Sequence, residues 1–433
     1  MASNVCFAHT RLGSAVLLLS LACGPKAADT EQATGDAATT DDAEGTTETT
    51  TGATTGAPTE ATTTAGIDEP YVYMDEVVAL AAPSPRSGFT LATLPGGRAL
   101  LIGGNIVLGQ GENKSFEQVP ATEVFTVDGG FSPGPALLHP RSYHNSAPAP
   151  DGGVLVLGGS SSTDYTDVDV FEIEHIAADG ATVEVVGSLT AGRIAGKTIV
   201  EPGGTIVALG DDSLLAERFD PATGVTTPLP VETEFGYFSH YIAPLFAAAR
   251  LPSGEVLLFG GIISNGSDAT AFPKGPEIAD LDAGTSRQIT DDAADESRFD
   301  REALPLPDGD ILLLGHDGHL FEPGPWLVRF DVETETMIPL QTLADPDVRF
   351  DKTPHGVLLA DGRVWIVGAP GSWEDPFTLT QFYEPTTNTL TPGPELPSPI
   401  VGGAAVRLDS GPVLLTGSSP ADQDWTLVAF LLK

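Results

Sequence analysis

Positive charge is scarce in this chain, and its placement is the first clue to chemistry. Of 433 residues, 60 are Asp or Glu and only 20 are Lys or Arg. Counted back from a recurring glycine, an arginine sits seventeen residues earlier at Arg86, Arg141, Arg193 and Arg298, and nineteen earlier at Arg349. A second base or a histidine follows closely at His144, Lys197, Arg301 and Lys352. Guanidinium groups repeated at one position can chelate a carboxylate or a sulfated sugar through paired N–H donors. The same spacing suits arginines that tie neighbouring repeats together through carbonyls and acids, because ion-pair networks and binding sites leave the same pattern. The tying role is the expected one. Arg86, Arg141, His144, Arg193, Arg298, Arg301 and Arg349 are the candidate ligand-binding residues.

Other clusters are weaker. Gly315-His316-Asp317-Gly318-His319 holds two imidazoles and a carboxylate within four residues, but the spacing fits no zinc pattern, and exposed loop histidines are expected. Asp291, Asp292, Asp295 and Glu296, or Asp164, Asp167 and Asp169, offer the oxygens that calcium prefers without the spacing of a helix–loop–helix site. No cofactor is expected, calcium being the one ion such loops suit. Hydroxyl nucleophiles lack the Gly-x-Ser-x-Gly turn, and no carboxylate pair is singled out for glycoside hydrolysis, whose geometry would come from distant strands. No catalytic residue is assigned.

The charge balance narrows the partners. Ten acids and one lysine (Lys26) lie in residues 24–70, leaving fifty acids and eighteen bases downstream. A domain this negative repels phosphate backbones and anionic lipid, so no nucleic-acid role is expected and any membrane contact must come from elsewhere. Only Cys6 and Cys23 occur, so the folded part has neither a disulfide framework nor a thiol nucleophile.

Residues 1–22 read as a signal peptide: His9 and Arg11 close a short leading region, and an apolar stretch from Gly13 to Ala22 follows, too short to span a bilayer. Leu21-Ala22-Cys23-Gly24 resembles the lipobox of bacterial lipoproteins, with Ser20 where that pattern prefers leucine. The resemblance implies lipidation of Cys23 and a place in the cell envelope, at the outer membrane or cell surface; plain cleavage would give a secreted protein. Residues 23–70 hold runs of threonine among Ala, Gly, Asp and Glu and bury too little to offset ordering, so a disordered tether is expected.

From residue 71 the elements that must position the arginines repeat seven times. A turn followed by an apolar run ending in glycine recurs as Leu94-Pro-Gly-Gly-Arg-Ala-Leu-Leu-Ile-Gly103, as Leu251-Pro-Ser-Gly-Glu-Val-Leu-Leu-Phe-Gly260 and as Leu306-Pro-Asp-Gly-Asp-Ile-Leu-Leu-Leu-Gly315, with close relatives ending at Gly158, Gly210, Gly368 and Gly417. Successive terminal glycines are 55, 52, 50, 55, 53 and 49 residues apart, a period that indicates a radial or stacked repeat. Pro-Asp-Gly suits a tight hairpin. The strand after it is continuously apolar, as expected when both faces are buried. Phe219-Asp220, Phe330-Asp331 and Tyr383-Glu384 mark a third strand turning into a fourth. The expectation is an all-β, seven-bladed β-propeller of four-stranded antiparallel blades over residues 71–433, its ring closed when an N-terminal strand near Val77 joins the C-terminal Trp425–Lys433 segment.

Residues 71–433 resemble bacterial Kelch-repeat proteins and the central propeller of the galactose oxidase family, through the Leu-Pro-Asp-Gly-x-Val-Leu-Leu-x-Gly units and Arg141-Ser-Tyr-His144. The resemblance implies the fold. The family's copper centre needs a tyrosine cross-linked to cysteine, and no cysteine follows Cys23. The sequence therefore points to a monomeric, non-enzymatic scaffold whose propeller loops bind a glycan or protein ligand, held to the membrane by its lipid alone. The alternative is an extracellular carbohydrate-active enzyme using acids at the channel mouth.

Overall fold

The computed structural model describes residues 71–433 apart from 109–114, 162–167, 195, 211–214, 233–245, 261–262, 265–269, 272–275, 290–297, 318–324, 341–354, 369–377 and 419–426. The expected signal peptide, the tether and Cys23 lie outside the described residues.

Hairpin turns organise everything that is described. The seven turn glycines, Gly97, Gly152, Gly204, Gly254, Gly309, Gly362 and Gly411, all have φ between 69° and 110°, the left-handed region that side chains resist. In six of them the glycine N–H donates to the carbonyl three residues back, as from Gly254 to Leu251. Each turn delivers a buried second strand: Val154–Leu157, Ile206–Leu209 and Val364–Val367 are buried at every residue.

The strands assemble into seven four-stranded antiparallel sheets. Blade 1 is Thr90–Leu94, Arg98–Ile102, Thr122–Thr126 and Gly130–Pro133. Blades 2 to 6 follow the same order and begin at Asn145, Lys197, Phe246, Arg298 and His355. Blade 7 takes Val401–Arg407, Val413–Ser418 and Leu427–Leu432 from the C-terminal end of the chain. Its fourth strand is Val77–Leu80, which pairs antiparallel with Leu427–Leu432 from Val77 opposite Leu432 to Leu80 opposite Ala429. No helix occurs among the described residues.

The core is divided among blade interfaces. One apolar cluster joins Leu91, Leu101 and Phe125 of blade 1 to Leu408, Leu414 and Leu431 of blade 7. Another joins Leu100 and Ile102 of blade 1 to Val154 and Val156 of blade 2. Trp365 and Phe382 of blade 6 meet Leu415 and Phe430 of blade 7. Each second strand thus buries one face against the blade before and the other against the blade after, which is why its sequence does not alternate.

Candidate functional site

The two ends of the strands differ. Tight turns between strands one and two, and between three and four, share one end, called here the turn face. The other end, the loop face, carries the connections between strands two and three and the links between blades. Among the described residues, two of those connections contain extra hairpins: Asn105–Leu108 with Ser115–Gln118 in blade 1, and Ile263–Ser264 with Thr270–Ala271 in blade 4. Functional variation in repeat scaffolds belongs on such loops.

Three sequence-predicted arginines converge on one construction at this face. Arg141 is fully buried; its guanidinium donates to the carbonyls of Gly158 (3.0 Å) and Glu172 (2.9 Å), and to Glu174 Oε1 at 2.6 Å. Arg193 donates to Gly210 O at 2.5 Å and Glu217 Oε1 at 2.8 Å, and Arg86 to Ala121 O at 2.8 Å and to Glu123. Each guanidinium binds the ends of strands two and three of its own blade. The main chains of Arg141 and Arg193 also bond the preceding blade, Gly104 N–H donating to Arg141 O and Gly159 N–H to Arg193 O. Burial lowers the pKa values of Arg86 and Arg141, and the facing Glu123 and Glu174 oppose that pull.

Sequence reasoning missed the glutamates. Glu123, Glu174 and Glu217 each lie opposite the residue two before the terminal glycine, at Leu101, Val156 and Ala208. Glu174 also accepts from the N–H groups of Leu138 and His139, and Glu217 from those of Thr190 and Ala191. Glu277 takes the same register in blade 4, opposite Leu258, and is buried. The available signal was a glutamate two residues before Phe125, Ile176 and Phe219 in strands otherwise apolar at that face.

His144 is buried between blades 1 and 2. Its Nε2 lies 2.9 Å from Thr90 Oγ1, while Nδ1 is buried without a hydrogen-bond partner. Burial and then the Arg141 charge pull its pKa down to about 3, so the ring is neutral at neutral pH. Glycines make room for this segment: a Cβ at Gly159 would lie 2.7 Å from Ser142 O and 2.8 Å from His144 Cβ. Ser87 donates to Asn105 Oδ1, which is buried, and the Asn105 amide reaches Ser142 Oγ at 3.4 Å.

A second constellation was not anticipated. His355, at the start of blade 6, places Nδ1 2.8 Å from Glu302 Oε1 in the innermost strand of blade 5, and Gly356 N–H donates to Glu302 Oε2 at 2.7 Å. Their side chains keep 20% and 29% exposure. Burial would raise the Glu302 pKa, but His355, the Gly356 N–H and Lys197 of blade 3 together hold it below the ordinary carboxylate value. A carboxylate on one ring nitrogen fixes the imidazole and leaves the other nitrogen to hydrogen-bond elsewhere. A register shift between Asp300 and Glu302 makes Arg301 the extra residue of a β-bulge, a device that re-aims neighbouring side chains.

For the remaining candidates, Arg298 begins the blade 5 innermost strand, paired with Asp317, and His316 pairs with Phe299 and Pro325. Asp169 forms a main-chain bridge with Ser160. Arg349, Lys352, His319, Asp164, Asp167 and the 291–296 cluster lie outside the described residues. Among the described residues no group of three His, Cys, Asp or Glu side chains has the geometry to hold a metal ion. A tyrosyl–cysteine copper centre does not fit this chain, whose last cysteine is Cys23.

No family model matches the chain, and no curated protein matches it in sequence. Solved structures do match in fold. A fungal alcohol oxidase of the AA5 family, in complex with copper, is 14% identical with a TM-score of 0.57, covering 82% of this chain and 75% of its own. Virginiamycin B lyase from Staphylococcus aureus is 10% identical with a TM-score of 0.52, covering 83% and 99%. A streptogramin B lyase is 10% identical with a TM-score of 0.50, covering 83% and 98%. At these identities the likeness concerns architecture, which hosts unrelated chemistries.

Proposed function

We propose that this chain is an exported, lipid-anchored Kelch-type propeller that binds a glycan or protein ligand on its loop face without transforming it. The observation that supports this reading is how the charged groups of that face are spent. Arg86, Arg141 and Arg193 are bonded to carbonyls and to Glu123, Glu174 and Glu217, so these groups hold strand ends in place. The face is left rigid beneath and variable above, the arrangement of a display scaffold. In this reading residues 1–22 direct export, Cys23 carries the lipid and residues 24–70 hold the propeller away from the membrane.

The Glu302–His355 pair favours one alternative, an extracellular carbohydrate-active enzyme in which that pair handles a proton. The test is a glycan array with purified residues 71–433, with calcium and with chelator, alongside reducing-sugar release from the same glycans. Retained glycan without release supports the scaffold; release that Glu302→Gln abolishes overturns it. Cys23→Ser is expected to move the full chain from the membrane to the soluble fraction, and detergent-dependent membrane association of that variant would sink the anchor.

A further inference from the structure

Four described residues other than glycine occupy the left-handed region: Asp75 (φ 53°), Tyr143 (φ 54°), Glu335 (φ 54°) and Asn388 (φ 55°). Such a conformation is uncommon for any side chain and costly for a bulky one. Three of the four have a structural explanation. Arg363 of blade 6 donates to both carboxylate oxygens of Asp75, and Arg287 of blade 4 clasps Glu335 of blade 5. Asn388 accepts from Tyr383 Oη at 2.8 Å. All three lie on the turn face.

Tyr143 is the exception. It lies on the loop face beside Arg141 and His144, and is 43% exposed. Its N–H donates to Gly88 O at 2.8 Å, but among the described residues its hydroxyl has no partner. Blade 1 shows what the position requires: in Arg86-Ser87-Gly88, the matching residue is a glycine with φ 63°. A Cβ added there would lie 3.3 Å from Cε1 and Cζ of Tyr143, so the ring lies close over the Gly88 backbone. The tyrosine is pinned by its backbone and by a neighbour that has no side chain. A left-handed backbone kept at a half-exposed aromatic where the matching blade uses glycine, with no side-chain hydrogen bond among the described residues to offset it, points to a functional position.

We propose that Tyr143 is a preorganised stacking platform for a neutral sugar ring on the loop face between blades 1 and 2. An immobilised aromatic ring offers its face to the C–H side of a sugar at little entropic cost. Leu108 and Val168, both exposed, lie on the same face of the same two blades. Charge decides the class of sugar: Arg86 and Arg141 are committed to Glu123 and Glu174, and the chain carries a net charge of −40. Sulfated or uronic sugars are repelled, and neutral hexoses are not.

This site rests on the ligand-binding reading above, and one experiment separates the two. Full-length protein is screened against neutral hexose oligosaccharides and their sulfated counterparts, and the best neutral binder is titrated against Tyr143→Gly and Tyr143→Phe. Tyr143→Gly is expected to weaken binding about tenfold or more with a melting temperature unchanged or raised, because glycine relieves the strain; Tyr143→Phe keeps the affinity. Wild-type affinity in Tyr143→Gly, or binding confined to sulfated sugars, overturns the platform and leaves the scaffold reading standing. A blank for wild-type protein on both sets overturns the platform and the glycan half of that reading together.

Discussion

The two faces of the propeller use charge in opposite ways. On the turn face, cations are partly exposed and reach across blade boundaries. Arg98 donates to the carbonyls of Ala178 and Asp179 in blade 2, Arg218 of blade 3 pairs with Asp282 of blade 4, and Arg329 of blade 5 donates to Pro385 O of blade 6. On the loop face, Arg86, Arg141 and Arg193 turn inward, lose their water and bind their own blade's glutamate. Exposed pairs are weak singly and act as many small latches. Buried pairs add little net stability when intact and cost a great deal when broken. The loop face is therefore the fragile end of the molecule, its geometry set by a few groups that tolerate no loss.

Removing one buried partner is the sharpest way to break that comparison. Arg141→Ala leaves Glu174, at 0% exposure, without its cation, and is expected to destabilise the protein by about 3–5 kcal/mol. Arg141→Ala combined with Glu174→Leu should recover much of the loss, because two apolar groups leave no charge stranded. Urea unfolding of both variants checks the pair, and a loss below about 1 kcal/mol for Arg141→Ala would show that the inner arginines behave like the outer latches.

His144 sharpens the comparison through pH. Its folded pKa of about 3 lies below the ordinary 6.5, so between those values the unfolded chain holds the extra proton and stability falls as pH falls. Above pH 6.5 the group contributes no pH dependence. At pH 5 the expected loss from this residue is about 2 kcal/mol. His144→Gln should flatten the stability profile between pH 7 and 5, measured as melting temperature against pH, whereas an unchanged profile would place the acid sensitivity elsewhere.

Most of the fold was legible because its signals are local. A turn glycine six residues before a terminal glycine specifies a hairpin wherever it occurs, and all seven such glycines are left-handed in the structure. Continuous apolar runs identified the second strands, and Val77–Leu80 was visible as a strand lacking a local partner. The candidate site was only half legible. Arg141 could be placed by counting, but Glu174 lies 33 residues further on, beyond a connection whose length differs in each blade. Glu302 and His355 belong to different blades, 53 residues apart. No local spacing encodes a contact made when two blades meet, and the strain at Tyr143 is a backbone angle, which a residue type does not announce.

The smallest expected effect probes the turn face. Glu335 has φ 54° where blades 3 and 4 place Gly224 and Gly284, and its exposed carboxylate is held by Arg287. Glu335→Gly removes backbone strain of about 1–2 kcal/mol. Against that, it gives up an exposed ion pair worth about 0.5 kcal/mol and frees the unfolded chain by a further 0.4–1 kcal/mol, roughly. The terms nearly cancel, so the urea midpoint should shift by less than the equivalent of about 1 kcal/mol. Arg287→Ala should cost no more than about 0.5 kcal/mol, and raising the salt to 1 M should shrink that cost further. A loss of several kcal/mol in either variant would mean that the outer latches are as indispensable as the buried arginines, and the division of labour between the two faces would fail.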